Sequence, residues 1–158
     1  MASEIVIRPV RDDELVAVLG LWYAAGVTPP SDSDSIEGLT RLIREPAALL
    51  LVATIDNQIV GSVIGGWDGW RGNIYRLAVT PEFRRKGIAR RLVMEISREL
   101  IDKGATRLSA LVEREHQWAV DFWDSVRDLG YKRDPKFARY IADRKGLLRM
   151  PDKGNGSI

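Results

Sequence analysis

The chain contains no cysteine and only one histidine, His116, among its 158 residues. The absence of cysteine excludes disulfides, a thiol nucleophile and thiolate metal sites together. A single histidine excludes a multi-histidine metal centre, and no acidic loop has the ligand spacing of a magnesium or calcium site, so no metal is expected. No apolar run reaches the length of a membrane span. The N-terminus MASEIVIRPV lacks the charged-then-apolar pattern of a secretory leader. A cytoplasmic protein with no membrane partner is expected. Excess charge of one sign is also scarce: 24 basic side chains face 22 acidic ones, a net charge of +2. A nucleic-acid binder concentrates basic charge on one face or tail, whereas here acids are interleaved everywhere except over residues 84–91. No nucleic-acid partner is expected.

What is present fits one globular domain. Hydrophobic residues make up 45% and charged residues 29% of the chain, enough to bury a core. SEIVIRPV alternates as a strand does. RDDELVAVLGLWYAA places Leu15, Val18, Leu19 and Trp22 at helical spacing, with Asp12 as a candidate N-cap. GVTPPSDSDS reads as a loop and IEGLTRLIRE as a second helix. ALLLVATI and IVGSVIGGW read as a hairpin about the turn DNQ. After the turn DGWRG, NIYRLAV is a strand and TPEFRRKG a loop. A long helix follows from about Ile88 to Asp102, with Ile88, Leu92, Ile96 and Leu100 on one stripe and Gly104 placed to end it. TRLSALV reads as a strand and QWAVDFWDSVRDLG as a helix, and YKR and ARYIAD as two short final strands. The order β-α-α-β-β-β-α-β-α-β-β describes an α/β chain with a mixed sheet, an antiparallel meander leading into a strand–helix–strand crossover. Residues 1–145 are expected to form the single domain, and 146–158 a disordered tail.

Chemistry concentrates in Val79–Leu92, VTPEFRRKGIARRL, where five of fourteen residues are basic. A strand-fed loop delivers Arg84, Arg85, Lys86, Gly87, Ile88 and Ala89 to a helix start. Helix starts carry unsatisfied N–H groups and the positive end of the macrodipole, which together bind phosphates. Gly87 permits an unusual φ and close approach of a ligand, and Ala89 keeps the first turn free of bulk. Cations at the positive helix end are locally unfavourable unless an anion arrives, so the cluster reads as a polyphosphate site. A solvated helix end with Arg91–Glu95 and Arg98–Asp102 pairs is the plainer alternative, and a nucleic-acid surface a third.

RRKGIA at Arg84–Ala89 resembles the Gln/Arg-x-x-Gly-x-Gly/Ala motif of the GNAT acetyltransferase superfamily, and the element order resembles the GNAT acyl-CoA N-acyltransferase fold over residues 3–143. The run from Gly65 to Val93, with its DGWRG turn, is similar to the small bacterial YpeA-type branch. The resemblance implies acetyl-CoA as donor, with the N–H groups of Arg85 to Arg90 on its pyrophosphate. It implies that the strand Tyr75–Val79 splays at a bulge, so that backbone of Leu77, Ala78 and Val79 lies along the pantetheine arm and thioester. It implies an N-acetyltransferase in which a primary amine, on a small molecule or a peptide, attacks the thioester directly in a ternary complex. Monomers and homodimers both suit such a protein.

The second family motif is matched by HQWAVDFWDSVRDLGY. Ala119 and Phe122 agree, whereas His116 replaces the usual Asn and Trp123 replaces the Tyr that protonates the thiolate. His116, Ala119, Phe122 and Trp123 are carried over as cofactor contacts. An indole N–H donates a hydrogen bond but is no general acid. Tyr75, Tyr131 and Tyr140 are alternative acids, His116 has a suitable pKa for proton transfer, and Asp68 is the candidate carboxylate base. These departures leave open a second reading, an acyl-CoA-binding sensor or scaffold with weak transfer. For the acceptor, Tyr23, Trp67, Trp70 and Tyr75 could supply aromatic walls, with Trp22 on its helix's apolar stripe, and the acidic run Ser31–Glu37 could draw an amine.

Overall fold

The computed structural model describes residues 3–27 and 31–151. Part of the expected loop, 28–30, and the end of the expected tail, 152–158, lie outside the described residues. The strands are β1 (Ile5–Pro9), β2 (Ala48–Ile55), β3 (Gln58–Trp67), β4 (Gly72–Val79) and β5 (Leu108–Ala110). They form one sheet in sequence order, antiparallel except for the parallel pair β4–β5. The helices are α1 (Leu15–Ala24), α2 (Ile36–Arg44), α3 (Ile88–Lys103), α4 (Gln117–Ser125) and the single turn α5 (Arg144–Leu147). Among the described residues no helix is long and apolar enough to cross a membrane.

The sheet separates two cores. Leu51, Ala53, Val60, Val63, Ile74 and Val79 face α3, which buries Ile88, Leu92, Ile96 and Leu100 completely or nearly so. Burying one such side chain contributes roughly 1.5–3 kcal/mol, and this stripe anchors α3 across β2, β3 and β4. On the other face, Leu15, Val18, Leu21 and Trp22 of α1 and Leu39 of α2 meet Leu50, Val52, Ile64 and Ala78. Glycines at the sheet centre admit α3: a Cβ at Gly65 would lie 2.7 Å from the Ile96 side chain. The β2–β3 turn has Asp56 and Asn57 at φ 49° and 64°, the two positive angles that a two-residue hairpin of the right twist requires.

Three expectations are corrected. Asp12 does not cap α1; it lies in a 3₁₀ turn, Asp12–Glu14, in which Glu14 accepts the Arg11 N–H at 2.8 Å. The helix read over 117–130 stops at Ser125 and resumes as a 3₁₀ turn, Arg127–Leu129, ended by Gly130 in the left-handed region. The two final strands are not formed: residues 131–143 carry no strand, and Phe137, Tyr140 and Ile141 are exposed. Their template would be β5, which is only three residues long. The intervening Lys132–Lys136 run adds charge and a proline that cannot donate to a ladder. Residues 144–147, where the tail was expected to begin, make a helical turn capped by Asp143.

Arg8 and Glu14 fasten the β1–α1 corner through two hydrogen bonds of 2.7 and 2.8 Å. The Arg8 bonds hold the Glu14 carboxyl at about 2, from an ordinary value near 4.5. A carboxyl with a lowered folded pKa stabilises the fold fully above its unfolded value and loses that contribution as pH falls through the folded one. Urea unfolding of Glu14→Gln and the parent protein should therefore differ most above about pH 4.5. The difference should shrink steadily toward pH 2.

Candidate active site

The site is built where β4 hands the chain to α3. Both the Thr80 N–H and its hydroxyl donate to the Val60 carbonyl at 2.9 Å, which closes the end of the sheet. After the turn Pro81–Phe83, Arg85 (φ 61°) and Gly87 (φ 81°) both adopt left-handed backbone. Gly87 is the N-cap of α3, and no side chain caps the helix there. The first-turn N–H groups thus lack both intrahelical and side-chain partners. A Cβ at Gly87 would meet nothing within 4 Å; the space in front of these amides is open.

The basic side chains are less available than their number suggests. Arg84 donates to the Val79 carbonyl at 3.1 Å and the Ala25 carbonyl at 3.0 Å, and lies 4.4 Å from the Trp118 ring centroid. Burial lowers its pKa. It ties the end of β4 to α1 and α4. Arg90 forms a two-pronged pair with Asp128, and Arg91 donates to the Ile5 carbonyl at 2.9 Å rather than to Glu95. Arg98 approaches Glu95 at 3.9 Å, not Asp102. Arg85 and Lys86 remain exposed beside the open helix start, Lys86 with its amine 5.4 Å from the Phe83 ring. Ile88 and Ala89 are buried beneath.

The second feature is a bulge in β4. Ser62 pairs with Ala78 and Ile64 with Tyr75, so Arg76 and Leu77 together oppose Val63. One extra residue sharpens the local twist and re-aims the strand. Arg76 takes φ 51°, a conformation costing a non-glycine residue about 1–2 kcal/mol. Tyr75 and Arg76 both face the α1 side: the Tyr75 ring lies over Gly66, and the Arg76 guanidinium lies 5.5 Å from the Trp22 ring centroid. β4 and β5 pair only over Gly72–Ile74 and Leu108–Ala110. From Tyr75 to Val79, including Leu77 and Ala78, β4 has no β5 partner, and the strands part.

α4 lies beside that opening. His116 is its N-cap residue but makes no capping bond; its Nε2 lies 3.1 Å from Glu113 Oε2. Trp118 stacks on Phe122, Phe122 meets Trp123 edge-on at 5.5 Å, and Trp123 meets Tyr131 edge-on at 5.1 Å. This row packs on the α3 core, next to the half-buried Ala119. The Tyr131 hydroxyl is 2.6 Å from Ser97 Oγ, and burial raises its pKa. Trp123 is therefore held by aromatic packing.

The other candidates fall elsewhere. Asp68 Oδ1 accepts the Trp70 and Arg71 N–H groups at 2.8 and 2.7 Å, and these bonds lower its pKa. It makes the β3–β4 turn, and a more acidic carboxyl is a weaker base. Trp67 packs toward Gly104 at the far end of α3, and Trp70 lies under Arg71 at 4.1 Å. Trp67 ends β3 and Trp70 lies in the β3–β4 turn, beyond Tyr75 from the α3 N-terminus. Tyr23 is 91% exposed on α1, and Tyr75 44% exposed at the bulge; Tyr140, at 94%, has no neighbour in the core. Of the acidic run, Asp34 is bound to Arg76 and Glu37 to Arg41, while Asp32 stays exposed. Sequence reasoning missed Arg76, although an arginine between Tyr75 and Leu77 departs from the strand's apolar alternation. It also missed Trp118, whose partner Arg84 lies 34 positions away. Among the described residues no group of three or more acidic or histidine side chains could hold a metal.

Residues 10–131 match the acetyltransferase (GNAT) family. The chain belongs to the GNAT acetyltransferase family. An acetyltransferase of Pectobacterium atrosepticum is 33% identical over 120 residues, which span 76% of this chain and 84% of that protein. The GNAT fold is shared with an aminoglycoside N-acetyltransferase, AAC(6')-Iy, solved with CoA: TM-score 0.72, 18% identity, covering 90% of this chain and 97% of that one. It is shared with the PaiA N-acetyltransferase of Thermoplasma acidophilum, solved with coenzyme A: TM-score 0.65, 22% identity, covering 79% and 88%.

Because Gly87 meets open space, only backbone strain opposes a side chain there. Gly87→Ala should lower stability by about 1–2 kcal/mol with unchanged circular dichroism. A larger loss in chemical denaturation would mean that the loop is packed more tightly than its surroundings show.

Proposed function

We propose that this GNAT protein transfers an acetyl group from acetyl-CoA to a primary amine by direct attack in a ternary complex. The observation that carries the reading is the pairing of an uncapped, glycine-started helix with a bulged strand that has lost its neighbour. The residues fit the donor. N–H groups from Arg85 to Arg90 would hold its pyrophosphate, with the Arg85 and Lys86 charges beside it. Backbone of Leu77, Ala78 and Val79 would lie along its pantetheine arm, the Val79 carbonyl already being used by Arg84. His116, Ala119, Phe122 and Trp123 would wall the arm from α4. The donor supplies an activated acetyl carbonyl and a thiol leaving group. An N–H of the unpaired β4 segment would polarise that carbonyl, an effect whose loss typically costs about 3–4 kcal/mol.

Proton handling falls to groups at the opening. The His116–Glu113 pair is half-exposed and able to relay a proton from the amine. Tyr75, exposed beside the bulge, offers a phenol there; Tyr131 is tied to Ser97. A thiol of pKa about 8.5 leaves with little help near neutral pH, so Trp123 in place of an acid is compatible with turnover. Trp123 also supports a second reading, a protein that binds acyl-CoA without efficient transfer. On the acceptor side Tyr23 and Tyr75 offer aromatic surface to a cationic amine, with Asp32 as exposed negative charge.

Calorimetry with acetyl-CoA, paired with thiol release in neamine, spermidine and a peptide bearing a free α-amine, tests this. Acetyl-CoA should bind with no comparable affinity for a short DNA duplex. Gly87→Val should weaken acetyl-CoA binding by about tenfold or more, since a branched side chain fills the space before the amides. Amine-dependent thiol release supports the enzyme; binding without release supports the second reading; absence of binding overturns both.

A further inference from the structure

Arg76 is a charged residue at a backbone angle that glycine adopts freely, φ 51°, in the middle of the bulge. Such strain persists only where the surroundings over-determine it, and the side chain shows how. Its guanidinium pairs with Asp34 Oδ2 of the α1–α2 loop, both side chains being largely buried at 21% and 10% exposure. The same Asp34 oxygen accepts the Ser31 N–H at 3.2 Å. The guanidinium also lies against the Trp22 ring, whose indole N–H donates to the buried Ser62 Oγ at 2.9 Å. Ser62 pairs with Ala78, immediately beside the bulge. One side chain thus links the α1–α2 loop, α1, β3 and the strand that lost its β5 partner. Glycine would relax the backbone but make none of these contacts.

We infer that Arg76 and Asp34 form a latch that holds residues 31–35 against the β4 bulge and fixes the shape of the acceptor side of the active site. They are positioning residues: neither needs to touch the reacting atoms. The inference rests on the bulge being where the acetyl group lies. The donor's phosphates are held at the α3 start, which the latch does not contact, and its pantetheine arm lies on backbone groups of Leu77 to Val79 that both variants keep. The pair therefore governs turnover and acceptor binding, not donor binding. It also explains why the acidic loop does not present Asp34 to an amine: that carboxylate already holds an internal cation.

The test uses Asp34→Asn, Arg76→Gly and the double variant of the full chain. The readouts are hydrogen exchange, acetyl-CoA affinity and thiol release with neamine, spermidine and water as acceptors. Each single variant should accelerate amide exchange in both 31–36 and 74–79, while α3 stays protected as evidence of folding. Turnover should fall by about 10–100-fold, with acetyl-CoA affinity changed by less than about threefold and the double variant no worse than the worse single one. Full protection and rate in Arg76→Gly would overturn the latch, as would loosening in Asp34→Asn confined to its own loop, or additive losses in the double variant. If the parent protein does not bind acetyl-CoA, the donor-site reading fails, and the exchange coupling alone decides the latch.

Discussion

The arrangement of this molecule depends on one surplus residue in β4. Two residues, Arg76 and Leu77, stand opposite Val63, and a strand with an extra residue twists away from its ladder. Three pairs after β5 begins, the two parallel strands separate. Without that separation, the backbone from Tyr75 to Val79 would be closed by β5, and the open start of α3 would face the end of an ordinary sheet. The bulge and the glycine-started helix are close in sequence, Leu77 and the N-cap Gly87 lying ten positions apart, so one short loop fixes both. α3 is held across the strands on either side of the bulge by Ile88, Leu92, Ile96 and Leu100, and the helix start cannot drift from the strand it serves.

The charge of the loop plays a smaller part than its composition suggests. Arg84, Arg90 and Arg91 have protein partners: two carbonyls and a ring, a carboxylate, and a carbonyl of β1. A cation near the positive end of a helix is unfavourable by some tenths of a kcal/mol to about 1 kcal/mol, and these contacts offset it without a ligand. Relief by an anion is therefore left to Arg85 and Lys86, exposed beside the helix start. The case for a phosphate site rests on backbone: Gly87 in the left-handed region, no side-chain cap, and open space before the first turn.

The order of elements from β1 to α4 was legible because each has a strong local cause: alternation in the strands, an apolar stripe on α3, Gly104 at its end, an Asp-Asn turn in the hairpin. What was not legible depends on partners distant in sequence. YKR and ARYIAD have strand composition, but a strand needs an edge, and β5 offers three residues. Trp67 and Trp70 were read as acceptor walls from residue type, whereas their place, at the β3–β4 turn and away from the α3 start, is set by the register of the hairpin. Arg84 and Trp118, or Asp34 and Arg76, look like unrelated surface residues until the fold brings them together. The open, glycine-started entry to α3 was legible in Arg84–Ala89 because that geometry resides in consecutive residues.

The same distinction bears on Trp123. A residue that must deliver a proton needs a mobile, polar tip aimed at the leaving group. A residue that must shape a wall needs rigid area. Trp123 sits edge-on between Phe122 and Tyr131, and Tyr131 is anchored to Ser97 on α3. Its indole has two well-packed neighbours, so replacing it by tyrosine would restore a hydroxyl at the cost of ring area already committed to the α3–α4 contact. The aromatic row trades an acid for rigidity. In the proposed transfer that trade is tolerable because a thiolate leaves readily near neutral pH, and the proton of the attacking amine would pass to the half-exposed His116–Glu113 pair.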